Sequence, residues 1–260
     1  MDISADVEIC SVADLLQVLK DLVDPNRPTW YRGHANKDWG LVPSLSRRPE
    51  NIKKEISLIK RFSQNASALL PSRIPDSDWD WIFLMQHHSV PTRLLDWSES
   101  PLVAAFFALQ GDQGTDGALW VLDPVRLNRA GNHRQGQVEF ELPAFGRAEN
   151  EENVLSNYTP EQVAHNKATV MSPIAVIAPR HFSRMVAQAS VFTLHHRPPT
   201  PIESILDENG EQNSVACKLV IPMSAKKDLA RELKTLGYSV LSMFPDLDRV
   251  AEVTREVLDA

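Results

Sequence analysis

The sequence predicts an α+β fold, with a helical N-terminal half packed on a mixed or antiparallel sheet. Three observations lead there. Helical periodicity is concentrated before about residue 110. Apolar, β-branched runs fall mostly after residue 117. The two kinds of element come in blocks and do not alternate, which argues against a regular series of strand–helix–strand units.

The 260 residues, 43% hydrophobic, supply ample core for one domain over 1–260, with a polar insertion at about 131–157. A net charge of −7 argues against a broad basic surface for duplex nucleic acid, while a local basic cleft stays open. Cys10 and Cys217 are far apart and lack metal-ligand spacing, so free thiols in a reducing compartment and no metal are expected. The acidic N-terminus is unlike a signal peptide, and no apolar run is long enough to span a bilayer. A cytoplasmic protein with no membrane contact follows as the expectation.

Residues 11–23 read as a helix, with Ser11 and Asp14 as a capping box and Val12, Leu15, Leu16, Leu19 and Leu22 on one face. Residues 28–33, PTWYRG, read as a short strand whose Gly33 allows a sharp exit or a close backbone approach, by a ligand among others. The polar stretch 34–50 reads as a structured loop. Helices are expected at 51–70, with Ile52, Ile56, Ile59, Phe62 and Leu69 inward, and at 76–87. Residues 117–122 (GALWVL), 173–178 and 188–195 read as strands, and 216–221 alternates enough to be another. Helices follow at 161–169, 179–187, 224–236 with Ser224 as cap, and 245–258; 238–241 is a brief strand. The 131–157 stretch, with its run Glu149, Glu151 and Glu152, has no steady period and reads as surface.

The stretch 86–109, QHHSVPTRLLDWSESPLVAAFFAL, is the densest in chemistry. Ser98 or Ser100 caps a helix with Pro101 at its first position. Before it, Arg93 and Asp96 sit in an apolar loop, TRLLDW. Arg and Asp are rarely buried unless paired, so the two are either partners or ligand contacts. Neither a Walker loop nor a GxGxxG turn occurs, and no GxSxG elbow is present, so kinase, Rossmann and hydrolase readings lack support.

Together WYRGH (30–34), QHHSVPTRLLDW (86–97), the helix behind it, RMVAQASVFTLH (184–195) and SMFPDLDRVA (242–251) resemble the FRG-domain family. Ser89 and Ser190 stand where that family usually has Gly. The resemblance implies bacterial or phage proteins, often in a defence or toxin setting, with no settled activity to carry over. A second likeness is to ADP-ribosyltransferases, which open on an aromatic-Arg-Gly strand; there Arg32 would hold NAD. Those enzymes use a late Glu where this chain has Gln188, which cannot supply charge to an oxocarbenium-like transition state.

Arg32, His87 and Gln188 are therefore the candidate catalytic residues. Arg32 is an anion contact or an Arg stacked on an aromatic; His87 is a general base or a helix-end cation; Gln188 is a ribose contact or a loop tie. Tyr31, Gly33, Gln86, Thr92, Arg93, Asp96 and Trp97 are candidate ligand-binding residues. Asp96 is expected to bond Arg93 or an amide of its own loop, leaving Arg32 facing a cleft beside Gln188. His195 and His196 are expected to be exposed. The function expected is binding of a nucleotide-like ligand, with NAD as a substrate and a protein or nucleic acid as acceptor in an ADP-ribosyltransferase-like reaction. The alternative is a non-enzymatic nucleotide sensor or protein-interaction module.

Overall fold

A computed structural model of the chain describes residues 7–70, 74–111, 113–132, 142–145, 154–166, 169–197, 200–206, 210, 215–255 and 258. Its frame is a seven-stranded mixed sheet: β1 (Val7–Glu8), β2 (Trp30–His34), β3 (Leu94–Ser98), β4 (Gly117–Leu122), β5 (Ile174–Val176), β6 (Ser190–Leu194) and β7 (Ala216–Ile221). The order is β1-β7-β4-β2-β3-β6-β5, with β1 parallel to β7 and every other neighbour antiparallel. The α-helices are α1 (Val12–Leu22), α2 (Glu55–Ala66), α3 (Asp78–His87), α4 (Pro101–Ala108), α5 (Pro124–Asn132), α6 (Pro160–His165), α7 (Ser183–Ala187), α8 (Lys226–Thr235), α9 (Val240–Met243) and α10 (Leu247–Arg255).

Local chemistry accounts for most of the boundaries. Ser11 caps α1 by accepting from the Asp14 amide, while Asp14 reaches back to the Cys10 amide, one residue short of a reciprocal box. Ser77 caps α3 and Ser100 caps α4, with Pro101 in its first turn. Ser224 caps nothing. It lies in a 3₁₀ turn, and α8 begins after Ala225 without a side-chain cap.

The sheet is covered on both faces. Below it runs one cluster that includes Trp30, Leu95, Trp97, Trp120 and Val191. Above it lie two clusters. One joins α1, α4 and α8 to β2, β4 and β7 through Tyr31, Leu119, Val121 and Leu219. The other joins α2 and α3 to β5 and β6 through Ile82, Phe83, Ile174 and Phe192. The two upper clusters part above the β2–β3 boundary, and so does the sheet: the ladder between β2 and β3 holds only the pair Tyr31 with Ser98.

Several expectations change. The TRLLDW segment is not a loop: Leu94–Ser98 is an internal strand fully paired with β6. The mainly helical first half therefore supplies a second strand beside the expected one, and β2 and β3 sit at the centre of the sheet. Residues 240–243 form a helix, not a strand, opened by a reciprocal Ser239–Ser242 capping box. Helix α5 was not anticipated; its Asn128 bonds both the amide and the carbonyl of Ala175 on the edge strand β5. Within 131–157, Phe145 and Leu155 are buried in the α2–α3 cluster. Glu149, Glu151 and Glu152 lie outside the described residues. His195 and His196 are buried, not exposed.

Candidate functional site: a cleft where the sheet divides

Where β2 and β3 separate, a cleft of about 420 Å³ opens between α3 and α4. Tyr31, Arg32 and Gly33 come from β2, Gln86 and His87 from the end of α3, Asp96 and Trp97 from β3, and Gln188 from the turn before β6. Segments as far apart in sequence as Tyr31 and Gln188 thus meet in one place. Thr92 and Arg93 are not in the lining.

Arg32 spans the gap in the sheet. Its Nε donates to His34 Nε2 at 2.9 Å, and its Nη1 donates to the main-chain carbonyl of Asp96 at 2.5 Å. A side chain occupies the place of a missing ladder bond, with the rest of the guanidinium toward the cleft. Burial pulls Arg32 below the ordinary arginine range, the nearby Arg47 adds to that, and Asp96 opposes it. His34 can accept from Arg32 only while Nε2 is unprotonated. Burial, followed by the Arg32 charge, lowers its pKa to about 3. Its Nδ1 then carries the proton and faces the Trp39 carbonyl at 3.1 Å.

Asp96 is exposed although its strand neighbours Leu95 and Trp97 are buried. Its Oδ2 accepts from Gln86 Nε2 at 2.6 Å, and Gln86 Oε1 accepts from the Thr92 hydroxyl at 2.5 Å. The Thr92 oxygen in turn accepts from the Leu94 amide at 3.1 Å. Thr92 is thus a fixed support for Gln86, which orients the carboxylate. Among the described residues no cation lies within ion-pair distance of Asp96, and no other carboxylate lines the cleft.

The Arg93–Asp96 pairing expected from the sequence does not form. Arg93 is wholly buried and bonds Glu55 at 2.8 Å, the His195 carbonyl at 2.8 Å and the Tyr158 carbonyl at 2.7 Å. It ties α2 to β3 and β6. Arg93, just before β3, turns into the core and finds its carboxylate on a helix distant in sequence, whereas Asp96 within the strand faces the cleft. At Gly33 the close backbone approach read in the sequence is made by α4. A Cβ there would lie 1.9 Å from the Ala104 carbonyl oxygen. Gly33 is needed for α4 to lie directly on β2.

His87 stacks on Phe182, with ring centroids 4.5 Å apart, and its Nδ1 is buried with no hydrogen-bond partner. Burial, then His88 and Arg184, lower its pKa and favour the neutral ring. Gln188 Nε2 donates to the Met243 carbonyl at 2.9 Å, a main-chain tie to the last residue of helix α9 and not to a loop. The Trp97 indole is core and donates to the Thr193 hydroxyl at 3.1 Å. Tyr31 is buried in the upper core, which raises its phenol pKa.

Sequence reasoning missed Arg47, Arg184 and Trp39, all of which line the cleft. Arg184 lies over Phe244 at 4.5 Å and donates to the His87 carbonyl at 3.3 Å. Trp39 is 49% exposed and stands edge-on to His34. Their signal was weak: Arg47 sits in an aperiodic loop, while Arg184 opens a quoted motif whose Gln188 drew the attention.

Residues 27–117 match the family model of the FRG domain. Over that stretch the chain is similar to the FRG-domain family. The matched segment supplies β2, α3, β3 and α4, and so most of the cleft, whereas Arg184 and Gln188 come from beyond it. No curated protein and no solved structure matches the chain. Among the described residues, no helix is long and apolar enough to cross a membrane, and no group of three or more His, Cys, Asp or Glu could hold a metal ion.

Proposed function

We propose that the FRG domain binds a nucleotide-like anionic ligand in the divided sheet, and that in the sharpest form the ligand is NAD, consumed in an ADP-ribosyltransferase-like reaction. One observation carries the reading. Arg32, Arg47 and Arg184 all line the same cleft, and none has a carboxylate within ion-pair distance among the described residues. In a chain of net charge −7, three guanidinium groups gathered at one cleft around a single carboxylate favour an anionic ligand. The half-exposed Trp39 at the same cleft offers a face for a planar base.

The roles follow from geometry. Arg32, held at Nε and Nη1, presents its remaining N–H groups to a phosphate. Gln86 and Asp96 offer acceptors to ribose hydroxyls. His87, whose burial favours the neutral ring, lines the same cleft and is the candidate base of this reading.

A second reading is a nucleotide sensor without turnover. It gains weight from Gln188, which carries no charge and is tied to the Met243 carbonyl. Incubation with NAD and protein or nucleic-acid acceptors, followed by measurement of released nicotinamide, separates the two when paired with a thermal-shift series over nucleotides. Stabilisation with nicotinamide release supports the transferase, and stabilisation alone supports the sensor. No binding of any nucleotide removes both.

A further inference from the structure

The cleft is not uniformly cationic, and its one carboxylate is the informative departure. Asp96 occupies the middle of an internal strand, where a side chain is ordinarily buried, and it projects into the cleft. Its Oδ2 is fixed by Gln86, and Gln86 is fixed by Thr92. The neighbouring Arg32 bonds the main-chain oxygen of Asp96 and leaves the carboxylate alone. Arg184 feels the Asp96 charge and yet is spent on the His87 carbonyl and the Phe244 ring.

A carboxylate held this way works against a ligand that is purely anionic, because like charges juxtaposed in a site repel. It favours a ligand that carries a positive centre next to its phosphates. Resting on the nucleotide reading above, we propose that the site selects a bipolar ligand, an oxidised pyridinium dinucleotide whose cationic ring end lies at Asp96 and whose phosphates lie at Arg32. Asp96 is then the element that rejects simple polyphosphates and the reduced, uncharged dihydropyridine form.

Calorimetric titration of the full chain tests this with three probes: a carbocyclic NAD analogue, which keeps the pyridinium and cannot lose nicotinamide, NADH, and ADP-ribose. The wild type is expected to prefer the pyridinium analogue over NADH by about tenfold or more, the scale of one charge contact in a partly screened site. Asp96→Asn is expected to erase that preference while ADP-ribose binds as well or better, and Asp96→Glu to restore part of it. The inference falls if the wild type binds ADP-ribose without preferring the pyridinium form, or if the preference survives in Asp96→Asn. Failure of all three probes to bind overturns the nucleotide reading itself.

Discussion

Arg32 is held at two points, and each point makes a different demand. A lysine would keep the charge but could not donate to His34 and to the Asp96 carbonyl at once. Arg32→Lys is therefore expected to weaken binding of an anionic nucleotide by about tenfold or more, as read by titration, with the fold retained. The two acids of the sequence motif and its neighbourhood separate in the same way. Glu55, 3% exposed and paired with the wholly buried Arg93, is a structural charge. Glu55→Ala leaves Arg93 buried without a counter-ion and is expected to cost roughly 3–5 kcal/mol in denaturant unfolding. Asp96→Ala removes an exposed side chain and is expected to change stability by less than about 1 kcal/mol. The spacing of Arg93 and Asp96 could not reveal this. Arg93, just before β3, turns into the core and Asp96 within the strand faces the cleft, while Glu55 lies 38 residues away on α2.

At the scale of elements, β2 and α4 touch backbone to backbone. Gly33→Ala would drive a Cβ to 1.9 Å from the Ala104 carbonyl and 2.4 Å from the Ala108 amide. α4 must move, and a fall in melting temperature of many degrees is expected, with loss of the cleft it borders. Ser89 is the converse case. Its φ of 59° lies in the left-handed region, where a side chain costs roughly 1 kcal/mol. Ser89→Gly is expected to be neutral or slightly stabilising, as a melting curve would report. The residue resemblance to a family with Gly at this position was legible, and the backbone angle supplies its reason. The other such substitution, Ser190, is an ordinary strand residue; the strained angle belongs to its neighbour Ala189, at 45°. Periodicity exposed α1, α2, α3 and the buried run of β4. It hid β3, because an exposed Asp in mid-strand and a charged residue at its start break the apolar pattern. It hid α5, because nine residues rich in Asn and Arg give little signal before packing decides.

At the scale of the molecule, two buried histidines contribute to the response to acid. His34 and His195 are 4% and 0% exposed, and burial lowers both to about pH 3. In the unfolded chain each takes up a proton near pH 6.5, so between about 6.5 and 3 the unfolded state binds more protons than the folded one. Their contribution is complete above pH 6.5 and is lost as the pH falls, at up to about 1.4 kcal/mol per pH unit for each ring. Imidazole NMR signals of both are expected to keep their neutral-form shifts down to pH 4, while unfolding midpoints decline over that range. An imidazole that titrates near 6 at either position would contradict the sealed environment. The divided sheet has a consequence of its own. In an antiparallel strand the N–H and C=O of one residue point to the same edge, so the Asp96 amide faces the same gap that Arg32 crosses. A central strand thus contains an amide that should exchange its hydrogen with solvent as an edge strand does. A ligand that grips Arg32 on one lip and Asp96 on the other would fasten two half-sheets like a clasp, without breaking any ladder bond. Amide exchange at residue 96 would then slow on binding, and that single rate would report whether the seam is closed.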